Sequence, residues 1–160
     1  MIGHEVKPQI SSARPQMTAT IMEQTALDEG VLRELVERFY GKVHTDPLLG
    51  PIFDARVADW DRHLERMVHF WSSVALMTGR YHGQPVPAHT PLPVDASHFN
   101  RWLDLFRETA REVCTSAGAH HLVERAERIA RSLLIAVELN KAHTDAAPSV
   151  PPLSKDGRDA

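Results

Sequence analysis

The fold of this chain depends on residues 84–93, QPVPAHTPLP, which separate two apolar helical patterns. The four prolines of this segment exclude a long regular helix there, because each proline lacks a backbone N–H and crowds the preceding turn. The flanking patterns contain His63, Met67, Phe70 and Trp71 on one side and Phe99, Trp102, Leu103 and Phe106 on the other. His89 therefore sits on a stiff segment between two aromatic-rich helices.

Outward from this segment, apolar residues that recur every three or four positions predict four principal helices. These helices cover approximately residues 29–44, 58–79, 97–115 and 119–141. Asp28 precedes the first pattern and is a suitable N-cap. No run of alternating apolar and polar residues is long enough to predict a strand. The sequence therefore predicts an all-α domain whose helices pack through their apolar faces.

The two ends of the chain lack this periodicity. Residues 1–24 contain glycine, proline and serine without a repeating apolar pattern, and we expect a flexible N-terminal arm there. Residues 143–160 include three prolines and predict a disordered C-terminal tail. The remaining residues, 25–142, are expected to form one domain, as the length of 160 residues suggests.

The composition excludes several classes of function. The formal net charge is −3, from 18 basic and 21 acidic residues, so no basic field calls for nucleic acid or an anionic membrane. No apolar run approaches the roughly 18 residues that a membrane helix needs. The single cysteine, Cys114, cannot form an internal disulfide, so we expect a reducing, cytoplasmic location.

His89 is the candidate metal ligand. A solvent-exposed loop residue is the simpler interpretation of a lone loop histidine. The stiff loop and the aromatic residues on both sides favour a ligand for haem iron, which is commonly held by one histidine. No His-Glu-x-x-His pair, cysteine zinc motif or glycine-rich phosphate loop in the sequence offers a competing site.

Three polar side chains on the predicted helices are candidates for binding a ligand inside the apolar interior. Tyr40 and Trp102 lie on apolar stripes, and each carries a donor that would stabilise negative charge on a bound ligand by roughly 1–3 kcal/mol. His63 borders its stripe and is a third polar group or a gate to solvent. The alternatives are ordinary core packing for Tyr40 and Trp102 and a partly exposed helix position for His63.

Several short motifs follow one another in a specific order and spacing. They are FY (39–40), DPLLGPIF (46–53), WDRHL (60–64), FWSS (70–73), GRYHGQP (79–85), HTPLP (89–93) and HFNRWLDLF (98–106). Together they resemble the truncated haemoglobins of group III, over residues of about 28–140. The paired-glycine motifs of the other truncated haemoglobins are absent from this sequence, which agrees with that group.

The resemblance implies a fold, a cofactor and a set of site residues. The fold is a two-over-two helical sandwich, a truncated globin, around a pocket for haem b (iron protoporphyrin IX). His89 would be the proximal iron ligand, with distal polar residues Tyr40, His63 and Trp102. Phe53 would pack against the porphyrin. The residues implied to line the rest of the pocket are Met67, Trp71, Phe99 and Phe106.

The expected activity is binding of a diatomic gas, which is dioxygen, nitric oxide or carbon monoxide. An alternative is an enzyme that consumes nitric oxide or peroxide. Because the sequence has no flavin or nicotinamide motif, such an enzyme would need an external reductase. A third hypothesis is a helical interaction module that never carries haem. The candidates for binding the haem propionates, which the sequence does not rank, are Arg56, Arg62, Arg66 and Arg80.

Overall fold

The computed structural model describes residues 10–146, and every regular element in that range is a helix. The helices are α1 (Pro15–Thr25), α2 (Glu29–Thr45), α3 (Gly50–Arg56), α4 (Trp60–Leu76), α5 (Pro85–His89), α6 (Ala96–Val113) and α7 (Ser116–Ala146). The predicted all-α fold is thereby confirmed for the described part of the chain. The observed ends of α2, α4 and α6 lie within three residues of the predicted ones.

Aspartate side chains start three of the long helices. Asp28 accepts a hydrogen bond from the Val31 backbone N–H at 2.8 Å at the start of α2. Asp59 accepts one from the Arg62 N–H at 3.2 Å at the start of α4, and Asp95 caps α6 in the same way. Each bond satisfies an N–H group that the first helical turn leaves without a partner. These three helix starts are therefore determined by local sequence.

The four long helices form a two-over-two sandwich. Helix α2 packs against α4 and α6, and α7 packs against α6 and α4. The fully buried core between them includes Leu32, Leu35, Val36, Phe39, Val43, Val68, Trp71, Phe106, Leu122 and Ala126. Burial of a large apolar side chain stabilises a fold by roughly 1.5–3 kcal/mol, so this core is the main source of stability.

The expectation of a flexible arm over residues 1–24 is wrong for the residues of α1, while residues 1–9 lie outside the described range. Helix α1 packs against α4 and α7. The Thr18 hydroxyl donates to the Leu76 carbonyl at 2.6 Å, and Ala13 N–H donates to the Thr78 carbonyl at 3.0 Å. Ile21 and Met22 of α1 also pack against the core, but two apolar residues are too few for a periodic pattern, and the hydroxyl and backbone bonds leave no apolar signal in the sequence.

Helix α7 continues to Ala146, beyond the predicted end near residue 141 and into the first residues of the expected tail. The rest of that tail lies outside the described residues, so its disorder stays a prediction. None of the helices between residues 10 and 146 combines the length and apolar character that crossing a bilayer requires.

Candidate functional site

A cavity of about 380 Å³ lies between α5 and the long helices. Cofactor pockets span roughly 300–1,000 Å³, so a small organic group is of suitable size. The wall includes eight of the nine residues selected from the sequence, namely Tyr40, Phe53, His63, Met67, Trp71, His89, Phe99 and Trp102. The tertiary fold thus brings side chains from α2 through α6 to one cavity.

His89 reaches the cavity from the last residue of α5. Its Nδ1 lies 2.6 Å from the carbonyl oxygen of Pro85, four residues earlier. Because a carbonyl oxygen only accepts, the Nδ1–H donates and Nε2 carries the lone pair. A bond of this kind sets the tautomer and orientation of metal-binding histidines and raises their basicity. No hydrogen bond within residues 10–146 engages Nε2, so that atom is available to a metal.

Tyr40 is a buried phenol inside a cluster of rings. Its ring meets those of Phe39, Phe53 and His63 edge to face, at centroid distances of 4.8, 5.8 and 5.1 Å. Burial raises the pKa of the phenol well above its usual range, and the neighbouring Trp102 side chain opposes this only in part. Tyr40 therefore remains protonated and able to donate across the whole physiological pH range.

His63 contributes a nitrogen atom without a partner. Its Nε2 is buried, and no atom within residues 10–146 forms a hydrogen bond with it. Burial lowers the pKa of this imidazole, and the charges of Arg66 and His89 lower it further. His63 is therefore neutral near pH 7. Since buried polar atoms nearly always have a partner in native proteins, this nitrogen indicates a ligand in the cavity.

Phe106 is the one selected residue that does not line the cavity. It has no exposed surface and stacks on Trp102 and Trp71, at centroid distances of 5.4 and 4.8 Å. It lies one helical turn beyond Trp102, so both side chains are on the apolar face of α6. Trp102 lines the cavity, whereas Phe106 packs in the core behind the cavity wall. The expectation that it lines the pocket was wrong, and it instead supports two wall residues from behind.

The structure distinguishes among the four arginines that the sequence offered as candidates for binding the haem propionates. Arg56 and Arg66 line the cavity, and neither has a salt-bridge partner within residues 10–146. Arg80 forms an ion pair with Glu29 instead, and Arg62 is not part of the wall. Arg56 and Arg66 are therefore the guanidinium groups available to an anionic part of a ligand.

Sequence patterns did not reveal the part of the wall contributed by the connections and by α7, nor His98 of α6. The residues of the connections and of α7 are Leu49, Val57, Tyr81, Leu92, Val94, Ile129, Ala130 and Leu133. The apolar stripe of α7 was predicted as a whole. Periodicity identifies the buried face of a helix, but it does not tell which part of that face meets a cavity and which part meets another helix.

The donor set fits haem. Apolar and aromatic walls suit the two faces of a porphyrin, and the Nε2 of His89 suits iron. The free guanidinium groups suit two carboxylates, and the unpartnered Nε2 of His63 suits a small ligand beside the iron. A helical sandwich around such a cavity defines the globin class of haem proteins.

Comparisons with known proteins agree with this class. A Bacterial-like globin family model matches residues 20–134. The group 3 truncated hemoglobin ctb of Campylobacter jejuni is 32% identical over 114 residues, which cover 68% of this chain and 90% of that protein. The crystal structure of the group III truncated hemoglobin from Campylobacter jejuni matches with a TM-score of 0.66 and 31% identity, covering 69% of this chain and 91% of that one.

The group 2 truncated hemoglobin YjbI of Bacillus subtilis is also similar, with 27% identity over 90 residues, 55% of this chain and 68% of that protein. The chain belongs to the bacterial-like globins and, within them, to the group III truncated haemoglobins. Membership of this family implies haem-based binding of a diatomic ligand.

Proposed function

We propose that this chain binds haem b through His89 Nε2 and holds dioxygen, nitric oxide or carbon monoxide at the iron. The observation that carries the proposal is the 2.6 Å hydrogen bond between His89 Nδ1 and the Pro85 carbonyl, which leaves Nε2 free at the wall of the cavity. When bound, haem supplies a ferrous iron that takes diatomic gases.

The distal role falls to Tyr40, His63 and Trp102. The Tyr40 hydroxyl stays protonated because its pKa is raised by burial, so it is a donor rather than an anion. Trp102 has an indole N–H, which only donates. Both donors lie in a wall whose residues are mostly apolar, where a hydrogen bond to a partly charged ligand is stronger than in water. Together they would retain dioxygen and slow its release.

A second candidate function is detoxification of nitric oxide or peroxide with electrons from an external reductase. The observation that favours it is His63. Its Nε2 has no hydrogen-bond partner within residues 10–146, and burial lowers the pKa of the ring. When the substrate is peroxide, a neutral imidazole takes up a proton from it and later returns it, which is the role of a general base.

We place this activity in a reducing, cytoplasmic compartment. Cys114 is the only cysteine of the chain, so a disulfide within the chain is impossible. Burial raises the pKa of the Cys114 thiol to about 11, which keeps it protonated and unreactive.

The test is the absorption spectrum of the ferrous protein with and without carbon monoxide, for wild type and His89→Ala. We expect a strong Soret band that shifts with carbon monoxide in wild type and a weakened or altered band in His89→Ala. His120→Ala is a matched control, since this exposed histidine near the start of α7 is not part of the cavity wall.

Two outcomes would contradict the proposal. A wild-type protein without a Soret band after haem addition would favour a helical interaction module instead. An unchanged spectrum in His89→Ala would show that another side chain holds the iron. Mixing the dioxygen-loaded protein with nitric oxide separates the two functions, because a dioxygenase converts rapidly to the ferric form.

A further inference from the structure

The segment that carries His89 is held by few contacts of its own. Its backbone bonds are local, from Thr90 N–H to the Val86 carbonyl and from Leu92 N–H to the His89 carbonyl, both at 3.0 Å. No residue of α5 is buried. Within residues 10–146, α5 packs against α7 and against no other helix. The position of His89 relative to the rest of the cavity therefore depends on α7.

Helix α7 reaches this segment with two side chains. Asn140 Nδ2 donates to the Thr90 carbonyl at 3.1 Å. Lys141 Nζ donates to the Val94 carbonyl at 2.6 Å. Thr90 adjoins His89, and Val94 is the last residue before the cap of α6. The two bonds therefore hold both ends of the turn that follows the proposed iron ligand.

The same face of α7 lines the cavity and continues toward these donors. Leu133 is part of the cavity wall, and Val137 is fully buried one turn later. Lys141 follows after one more turn, and residues four apart lie on one face of a helix. Helix α7 is thus a rigid connection between the cavity wall and the His89 segment. The family model ends at residue 134, so Asn140 and Lys141 lie beyond the part of the chain that the family pattern describes.

We propose that Asn140 and Lys141 are positioning residues that set the height and tilt of the His89 imidazole and thereby the strength of its bond to iron. This inference rests on the proposed role of His89. Lys141 has the larger share, because its bond is short, charged and partly buried, whereas the bond of Asn140 is exposed. Both side chains act on backbone carbonyls and do not touch the ligand site.

The test uses the haem-loaded protein with the variants Lys141→Met, Asn140→Ala and their combination. Resonance Raman spectroscopy of the ferrous, ligand-free form measures the iron–histidine stretching band. Hydrogen exchange of the peptide over residues 85–95 measures the freedom of the loop. Lys141→Arg keeps a cationic donor, and Arg131→Met removes an exposed cation from the same helix without touching the segment.

We expect the iron–histidine band to shift or broaden in Lys141→Met, more so in the double variant, and to recover in Lys141→Arg. Exchange over residues 85–95 should be about fivefold faster in the double variant, the factor expected for the loss of a modest stabilising contact. Arg131→Met should match wild type in both measurements.

The outcomes separate this inference from the proposed function. A wild-type protein without an iron–histidine band would overturn both, because His89 would then not bind the iron. A band that is present in wild type and unmoved in the double variant would overturn the positioning role alone. Equal shifts in Lys141→Met and Arg131→Met would also overturn it, since the effect would then come from charge and not from the bond to Val94.

Discussion

The rings of Tyr40 and His63 meet edge to face, with centroids 5.1 Å apart and planes at 88°. This contact joins the donor of α2 to the unpartnered imidazole of α4 at one side of the cavity wall. The phenol is held protonated and the imidazole is held neutral, both by burial. A protonated phenol and a neutral imidazole therefore lie side by side, and each can be tested separately.

Tyr40→Phe should accelerate dioxygen release. A hydrogen bond to a charged group contributes roughly 1.5–3 kcal/mol, so we expect dissociation to be faster by a factor on the order of 10 to 100. Trp102→Phe should act in the same direction. Stopped-flow release of dioxygen from the ferrous protein measures both.

The control for these variants is Tyr81→Phe, which alters the only other tyrosine of the chain at another part of the cavity wall. We expect its release rate to stay near that of wild type. Unchanged rates in both Tyr40→Phe and Trp102→Phe would mean that these side chains do not donate to the ligand.

His63 should make the stability of the haem-free protein depend on pH. Its pKa is lowered from the ordinary 6.5 in the folded state by burial and then by Arg66 and His89. As the pH falls below 6.5, the unfolded chain takes up a proton that the folded protein resists, so the free energy of unfolding decreases. Urea denaturation at pH about 7 and about 5 should give a smaller difference for His63→Leu than for wild type.

His121 is the matched control, because burial also lowers its pKa despite a hydrogen bond with the Ala75 carbonyl at 2.8 Å. His121→Gln should remove the contribution of His121 to the pH dependence of stability and leave the contribution of His63 unchanged. An identical pH dependence in wild type and His63→Leu would argue against the lowered pKa.

Substitutions of Phe106 and Phe99 should distinguish a side chain that stabilises the core from one that contacts the cofactor. Phe106→Ala removes a fully buried ring and should lower the free energy of unfolding by about 3–5 kcal/mol. Phe99→Ala removes a half-buried ring from the cavity wall, so it should cost less stability and release haem faster. Chemical denaturation measures the first effect, and haem transfer to a scavenger globin measures the second. If the loss of stability and the increase in the rate of haem release stood in the same ratio in both variants, this division of roles would be contradicted.

Arg66→Met should release haem faster than Arg62→Met. Arg66 lines the cavity and Arg62 does not, although both are exposed arginines of α4. An exposed ion pair is worth roughly 0.2–1 kcal/mol, so we expect an increase of up to about fivefold for Arg66→Met. The difference should shrink at high salt because exposed charges are screened. Equal rates in the two variants would mean that Arg66 does not meet a propionate.

The sequence by itself determined the four long helices and the candidate iron ligand. Helix starts depend on short-range bonds, such as the one from Val31 N–H to Asp28, which are visible in the order of residues. The prolines around His89 are equally local, since each restricts its own backbone. The motif spacing then sufficed for the family and the two-over-two fold.

Only the tertiary structure decided how far along each helix the cavity extends. Phe106 shares a stripe with Trp102, yet Phe106 packs in the core while Trp102 lines the wall. Helical periodicity predicts which face of the helix a side chain lies on. It does not predict whether that position along the helix axis meets the cavity or the packed core. The bond from Lys141 to the Val94 carbonyl joins residues 47 positions apart, so no local pattern predicts it. Contacts of this kind exist only after the apolar faces have brought distant helices together.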